Sequence, residues 1–269
     1  MITRARSALT VFLLIALMAC APTITAPTNT AVSPPLSART DSPTPKQNTP
    51  TATLTPTASA VPTPSRTAAI SLVEPLVEAR ASALTDFSAA APGVMLPVGG
   101  EARTGEAGRA RLDLAPDGTI IRLAPNTHFT VAKLEEEADN PFTQLELFFG
   151  QIYIILSGGE LQVQTPSGVA SVRGSMMSVS YDPNTQAMTI TCLEGHCSLR
   201  NDKGFIELVA GQAADILNGI LSRGPRDLTD AEIFGWLENA PELNNFPDVL
   251  GRLRDRIDKL PKLPRRWPR

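Results

Sequence analysis

The sequence predicts a mainly β protein, a sandwich, roll or barrel-like domain, with a disordered N-terminal stalk and a short C-terminal helical unit. Three observations carry that prediction. Between positions 69 and 220, short stretches of alternating apolar and polar residues are separated by turn signals. Before them, proline, threonine and serine crowd the chain, and aromatics are nearly absent. After position 221 the apolar spacing changes from two residues to three or four.

Composition bounds the function classes. Of the 269 residues, 42% are hydrophobic and 19% charged, enough apolar material for one packed domain. The formal net charge is −3, whereas a nucleic-acid binder usually carries a basic domain, so no nucleic-acid partner is expected. Three cysteines and two histidines leave little material for a multi-ligand zinc or iron–sulfur centre. No metal and no cofactor is expected.

Residues 1–19 read as an address. Arg4 and Arg6 precede an apolar run from Ala8 to Ala19, which is shorter than the roughly 20 residues a spanning helix needs. A basic start and a short apolar run before small residues are the layout of a secretory signal. The run ends Leu17-Met18-Ala19-Cys20, which resembles a bacterial lipobox. That resemblance implies cleavage before Cys20 and lipid attachment to it, so the mature chain would meet the membrane through an N-terminal lipid. The alternative is a secreted chain with Cys20 unlipidated; both place the mature protein outside the cytoplasm.

Residues 20–68 follow as the linker. Ala21–Ala68 holds 10 Pro, 13 Thr and 5 Ser and no aromatic residue. Such a stretch buries too little apolar surface to offset its ordering entropy, so disorder is expected. At about 3.1 Å per residue its extended reach is on the order of 150 Å. Glycosylation of its threonines is compatible with this mucin-like composition.

Residues 69–220 form the β domain. Ala110, Leu112 and Leu114 share one face of an alternating run. Ala115-Pro116-Asp117-Gly118 supplies turn chemistry and Thr119–Leu123 returns, making a hairpin. Phe129 and Val131 continue the alternation, and Glu135–Pro141 reads as a solvated loop. Leu145–Phe149 and Ile152–Leu156 flank Gly150-Gln151 and predict a second hairpin. Ser157-Gly158-Gly159 turns into Leu161–Thr165, and later strands are expected over Met176–Tyr181, Ala187–Leu193, Cys197–Arg200 and Phe205–Leu208. Between Ala69 and Ile220 lie 9 basic and 18 acidic residues, a local net of −9 that disfavours an anionic polymer as partner.

Cys192 and Cys197 are expected to form a disulfide. With Glu194-Gly195 as a two-residue turn, Cys192 faces Cys197 at a non-hydrogen-bonded pair, where side chains approach closely. Oxidation is favoured outside the cytoplasm, and so short a ring contributes roughly 2 kcal/mol. A metal or redox site with His196 is the alternative, although alternation points His196 away from both sulfurs and a fourth ligand is missing.

Residues 221–269 form the helical segment. Thr229-Asp230-Ala231-Glu232 has capping-box form, and Ile233, Phe234, Trp236 and Leu237 give the following helix an apolar stripe ending near Asn239. Asn245 is placed to cap a second helix with Pro247 in its first turn. Val249, Leu250, Leu253, Ile257 and Leu260 supply its apolar face. Lys259–Arg269 carries five basic residues and no acid. The helices either pack on the β domain or dock a partner, and the basic tail is suited to anionic lipid or wall polymer.

Gly108–Leu114 followed by Asp117–Thr127 resembles the central signature of the FecR-type extracytoplasmic domain. Gln164–Ser175 is similar to that family's second characteristic stretch, and Leu193-Glu194-Gly195 with Gly211-Gln212 to its closing motifs. Together they cover roughly Pro97 to Ala214. The resemblance implies an extracytoplasmic β-rich domain that, in the best-known members, relays siderophore-receptor occupancy to a cytoplasmic sigma factor. Those members carry a cytoplasmic segment and a membrane-spanning helix before the domain. Here only Met1–Ser7 precede the apolar run, so direct control of a sigma factor is not expected.

The residues yield no catalytic constellation. Asp113, Asp117 and Glu135–Glu137 read as ordinary turn and surface carboxylates, His128 as a surface or half-buried histidine, and Ser175 has no identifiable base. Gly168 and Gly174 lack the lysine and spacing of a phosphate loop. Arg173 has two readings: an ion pair with an acid, or contact with an anionic ligand or partner. The expected function is a surface-tethered binding or sensing module of FecR type with no bond chemistry, engaging an unidentified protein or envelope ligand. A structural cell-envelope protein that contacts wall polymer or lipid through its basic tail is the alternative.

Overall fold

The computed structural model describes residues 66–136 and 140–258. The expected signal, Cys20, the expected linker to position 65 and the basic tail from Lys259 lie outside the described residues, as do residues 137–139. Fifteen strands come first: β1 (Thr67–Val73), β2 (Val77–Arg80), β3 (Ser88–Ala89), β4 (Glu101–Thr104), β5 (Ala110–Ala115), β6 (Thr119–Leu123), β7 (His128–Glu135), β8 (Phe142–Ile155), β9 (Glu160–Thr165), β10 (Gly168–Asp182), β11 (Ala187–Asn201), β12 (Gly204–Val209), β13 (Gln212–Leu217), β14 (Ile220–Leu221) and β15 (Arg226–Asp227). Helix α1 (Asp230–Asn239), a 3-10 turn (Pro241–Asn245) and helix α2 (Pro247–Asp258) follow. The fold is mainly β with short C-terminal helices. Among the described residues no helix is long and apolar enough to cross a membrane.

The strands form one hydrogen-bonded sheet that folds over on itself. The β5–β6 hairpin has the predicted register, with Leu114 opposite Thr119, and Ala110, Leu112 and Leu114 are buried. The first strand begins slightly earlier than the alternation indicated. β1 begins at Thr67 and pairs with β5, and the Arg66 guanidinium grips both carboxylate oxygens of Asp117 at 3.0 Å. This clamp fixes the entry of the chain into the sheet.

The predicted hairpin at Gly150-Gln151 is absent; β8 runs unbroken for 14 residues. Its first half pairs with β7 and its second with β6 and β10, so neither half needs the other for its backbone hydrogen bonds. A straight strand of that length would run roughly 45 Å. Yet the four residues after it bring the chain back to pair β9 in parallel with the start of β8, Glu160 beside Phe142. The strand therefore curls, and Gly150 at φ 96° sits at the bend. A Cβ there would meet Asn126 O and Thr127 Cα at 2.4 Å, so only glycine fits.

The hairpin turn expected at Glu194-Gly195 is likewise replaced by a corner within one strand, β11. β10 and β11 keep register on both sides of it, Met177 opposite Cys192 and Val172 opposite Cys197. Before the corner β11 also pairs with β13; after it, with β12. Cys192 and Cys197 form the expected disulfide, but within one strand, their Cα atoms 5.7 Å apart. Five residues of straight strand would separate them by roughly 16 Å. The disulfide crosses the inside of the bend, and its cysteines are buried in the main core.

Alternation through the bent strands sorts side chains into two cores. Ile152 and Ile154 point into the main core with Phe129, Leu145, Val179 and Ile190. Their neighbours Tyr153 and Ile155 point the other way, where with Met176, Leu193 and Ala213 they meet Ile233, Trp236, Leu243, Val249 and Leu253. The helices thus pack on the β domain, covering the outer face of one half of the sheet. The predicted capping box of α1 is present: Thr229 and Glu232 cap each other's backbone N–H. Asn245 does not reach the capping position of α2; it ends the intervening 3-10 turn, and α2 starts at Pro247. Ion pairs reinforce the docking: Glu242 accepts from Arg122 Nε at 3.1 Å and from Arg111 Nη1 at 3.1 Å.

Candidate partner-binding surface

The opposite half of the folded sheet has no helix over its outer face among the described residues. There the first half of β10, the second half of β11, and β12 lie side by side. Ala170, Val172, Leu199, Ile206 and Leu208 point into the core, so Ser171, Arg173, Ser198, Arg200, Phe205, Glu207 and Val209 fall on the outer face. These outer residues line a shallow recess of about 540 Å³.

Arg173 sits at the corner of β10 and forms the ion pair of its first reading. Its Nε and Nη2 donate to Glu160 Oε2 at 2.9 and 2.6 Å. Yet its side chain is 76% exposed while that of Glu160 is 13% exposed. Burial alone would raise the Glu160 carboxyl; hydrogen bonds from Gln162 and Arg173, with the charges of Arg173 and Arg200, hold it below the usual carboxylate range. The acid is therefore ionised and orients the guanidinium, whose remaining N–H groups stay available.

The recess borders a sheet edge. Among the described residues β12 pairs only with β11. Its two-residue turn makes Asn201 and Gly204 a hydrogen-bonded pair, so the backbone groups of Phe205 and Glu207 face outward. Val209 N already donates to Gln212 Oε1 at 3.0 Å. Phe205 and Val209 are 56% and 48% exposed, an unusual placement for such side chains on a strand edge.

The remaining sequence candidates are occupied by structural contacts. His128 Nε2 lies 2.8 Å from Glu101 Oε2, with the Phe148 ring at 4.7 Å and Phe87 at 5.7 Å. Glu101 also binds Arg80 at 2.6 Å; burial pushes its carboxyl up, but Arg80 and His128 outweigh that and leave it lowered. Asp113 pairs with Arg111 at 2.6 Å, and Asp117 holds Arg66. Among the described residues no group of three or more His, Cys, Asp or Glu side chains could hold a metal ion. Glu160 stands directly opposite Arg173 across the antiparallel β9–β10 hairpin, and the sequence hid the pair because its alternation placed the next strand at Met176, whereas β10 begins at Gly168. Phe205 was legible as a strand residue but not as an exposed one.

Among the described residues the folded-over β sheet has one outer face under helices and the other without them. Residues 100–198 match the family described as FecR protein. That span includes Glu160, Arg173 and both bonded cysteines, and stops short of β12 and the helices. No curated protein matches the chain. Two crystal structures from Parabacteroides distasonis ATCC 8503, each provisionally described as an anti-sigma factor, are similar with a TM-score of 0.43. They share 16% and 15% identity over 51% of this chain, and cover 64% and 63% of their own lengths. The chain thus spans less than two thirds of those proteins, and likeness at this level carries no functional argument.

Proposed function

We propose that this protein is an extracytoplasmic binding or sensing module whose FecR-type domain engages a partner protein across the Arg173 face. The supporting observation is the pairing of an oriented, largely exposed guanidinium with the exposed Phe205 and Val209 beside an unpaired strand edge. Arginine and aromatic anchors dominate protein interfaces, and a free edge accepts an extended segment by strand addition. No bond chemistry is assigned to the surface, and no nucleic-acid partner. In this reading residues 1–19 are removed, Cys20 carries the lipid and residues 20–68 tether the domain to the membrane.

Two measurements test it. A photo-crosslinker placed at Val209 of the full chain, in its own host, is expected to give one discrete protein adduct that disappears with Arg173→Glu. Absence of an adduct, or one indifferent to Arg173→Glu, overturns the surface assignment. The intact mass of membrane-purified protein is expected to correspond to a start at Cys20 bearing diacylglycerol; an uncleaved Met1 would sink the anchor.

A further inference from the structure

A second recess lies away from Arg173, where the bend of β8 meets α1. Its volume is about 840 Å³ and it opens widely to solvent, within the size range of small-molecule and ligand sites. Its walls come from the loop before β7, the β8 bend, the β10–β11 turn and the last turn of α1. Gly235 makes the close approach: a Cβ there would lie 2.8 Å from the Tyr153 hydroxyl, so a side chain would push α1 and the tyrosine apart.

The charged groups of this recess are already matched. Arg109 donates to Glu238 at 2.6 Å and to Asn239 Oδ1 at 3.1 Å. Asp182 accepts from Asn184 N at 2.9 Å and Thr185 Oγ1 at 2.8 Å. What remains is neutral. The side-chain amides of Asn126 and Gln151 and the hydroxyl of Tyr181 take part in no hydrogen bond among the described residues, and all three residues line the recess. The Tyr153 hydroxyl receives a 3.4 Å contact from Asn239 Nδ2. Burial pushes its pKa up to about 12, so it remains a proton donor at neutral pH. The Phe149 ring, 37% exposed, forms the apolar part of the wall.

These features select a ligand class. An anion would face the carboxylates of Asp182 and Glu238, and a cation the Arg109 guanidinium. An apolar molecule would strand the free amides and hydroxyls at a cost for each one left unpaired. Amides and tyrosine hydroxyls that both donate and accept, set beside one aromatic face, complement a molecule whose rim is hydroxyl groups and whose face is C–H. We propose that this recess is a binding site for a neutral glycan segment, with Phe149 under a sugar face and Asn126, Gln151, Tyr153 and Tyr181 on its hydroxyls. Its openness suits a stretch within a longer chain. This site is separate from the Arg173 face and does not depend on the partner reading above.

The test is calorimetric titration of the full chain with two neutral probes, cellotetraose and tetra-N-acetylchitotetraose, which separate a plain glucan from an N-acetylated, wall-type sugar. Saturable binding of at least one, millimolar or tighter, is expected. Phe149→Ala, Gln151→Ala and Asn126→Gly are each expected to weaken it by at least about tenfold; glycine is the clean truncation at 126 because Asn126 has φ 51°. Tyr181→Phe removes one hydroxyl and keeps the packing. Arg173→Glu is expected to leave binding unchanged, so loss of the partner surface and loss of this site are distinguishable. Unfolding midpoints identify any variant that fails to fold. No heat with either probe, binding indifferent to the recess variants, or occupation of the recess by an uncharged peptide in place of sugar overturns the assignment.

Discussion

Trp236 Nε1 donates a 2.9 Å hydrogen bond to Thr191 Oγ1, joining the C-terminal helices to the middle of the sheet. The indole is fully buried, with the Tyr153 ring edge-on at 5.1 Å, and Thr191 is in turn hydrogen-bonded to Ser178 at 2.7 Å. Trp236→Ala is expected to cost about 3–5 kcal/mol, through lost burial and an opened cavity. Trp236→Phe keeps most of the packing and loses the donor. Hydrogen exchange checks the location: α1 and α2 should lose protection while β8, β10 and β11 keep theirs.

Glu242 holds the same interface from its edge. Burial would raise its carboxyl, but hydrogen bonds and charge from Arg122, with Arg111, keep it below the usual carboxylate range. Asp215 and Glu232 are lowered in the same way, with Arg226 outweighing burial. A depressed pKa means that the folded state releases these protons before the unfolded chain does. The stability they supply is therefore full above the unfolded carboxylate pKa values and is lost as pH falls through the folded ones, below about pH 4. Glu242→Gln should lower stability at neutral pH by about 2–3 kcal/mol, since it leaves Arg122 buried without its counter-charge. Denaturant midpoints measured from neutral to acid pH should converge for the two proteins.

Gly150→Ala tests the bend of β8. The added Cβ meets backbone at 2.4 Å, and the φ of 96° is unfavourable for any L side chain. A loss of about 3 kcal/mol or more is expected, because strain and overpacking act together. A melting curve close to wild type would contradict the bend geometry.

Removing both corner cysteines, Cys192→Ala with Cys197→Ala, should cost about 2 kcal/mol, as expected for a short ring. The fold should survive, because β10 holds β11 in register on both sides of the corner. Near-native circular dichroism with a lowered unfolding midpoint is the expected result; complete loss of structure would show that the disulfide forms the corner instead of bracing it.

What was legible in the sequence was local. Alternation in Ala110–Leu114 and Phe129–Val131 fixed which residues face the core, because a strand's side-chain period is two whatever it pairs with. Thr229 and Glu232 announced the start of α1, since a capping box satisfies its own N–H groups within one turn. The expectation that Cys192 and Cys197 are bonded survived although its geometric basis did not. An intra-strand corner and a hairpin both bring residues five apart into reach.

Tertiary structure decided what the glycines mean. Gly150 and Gly195 each separate two apolar runs, and locally a tight turn and a bend in one long strand look the same. The choice depends on where the backbone hydrogen bonds of each run are satisfied. Here β6, β7, β10, β12 and β13 supply partners on either side of the bends, so the runs continue as single strands. The same long-range pairing places Asn126, Gln151 and Tyr181 around one recess. Side-chain periodicity is a property of a few consecutive residues, whereas partners across a folded sheet are set by the burial and hydrogen bonding of the whole chain.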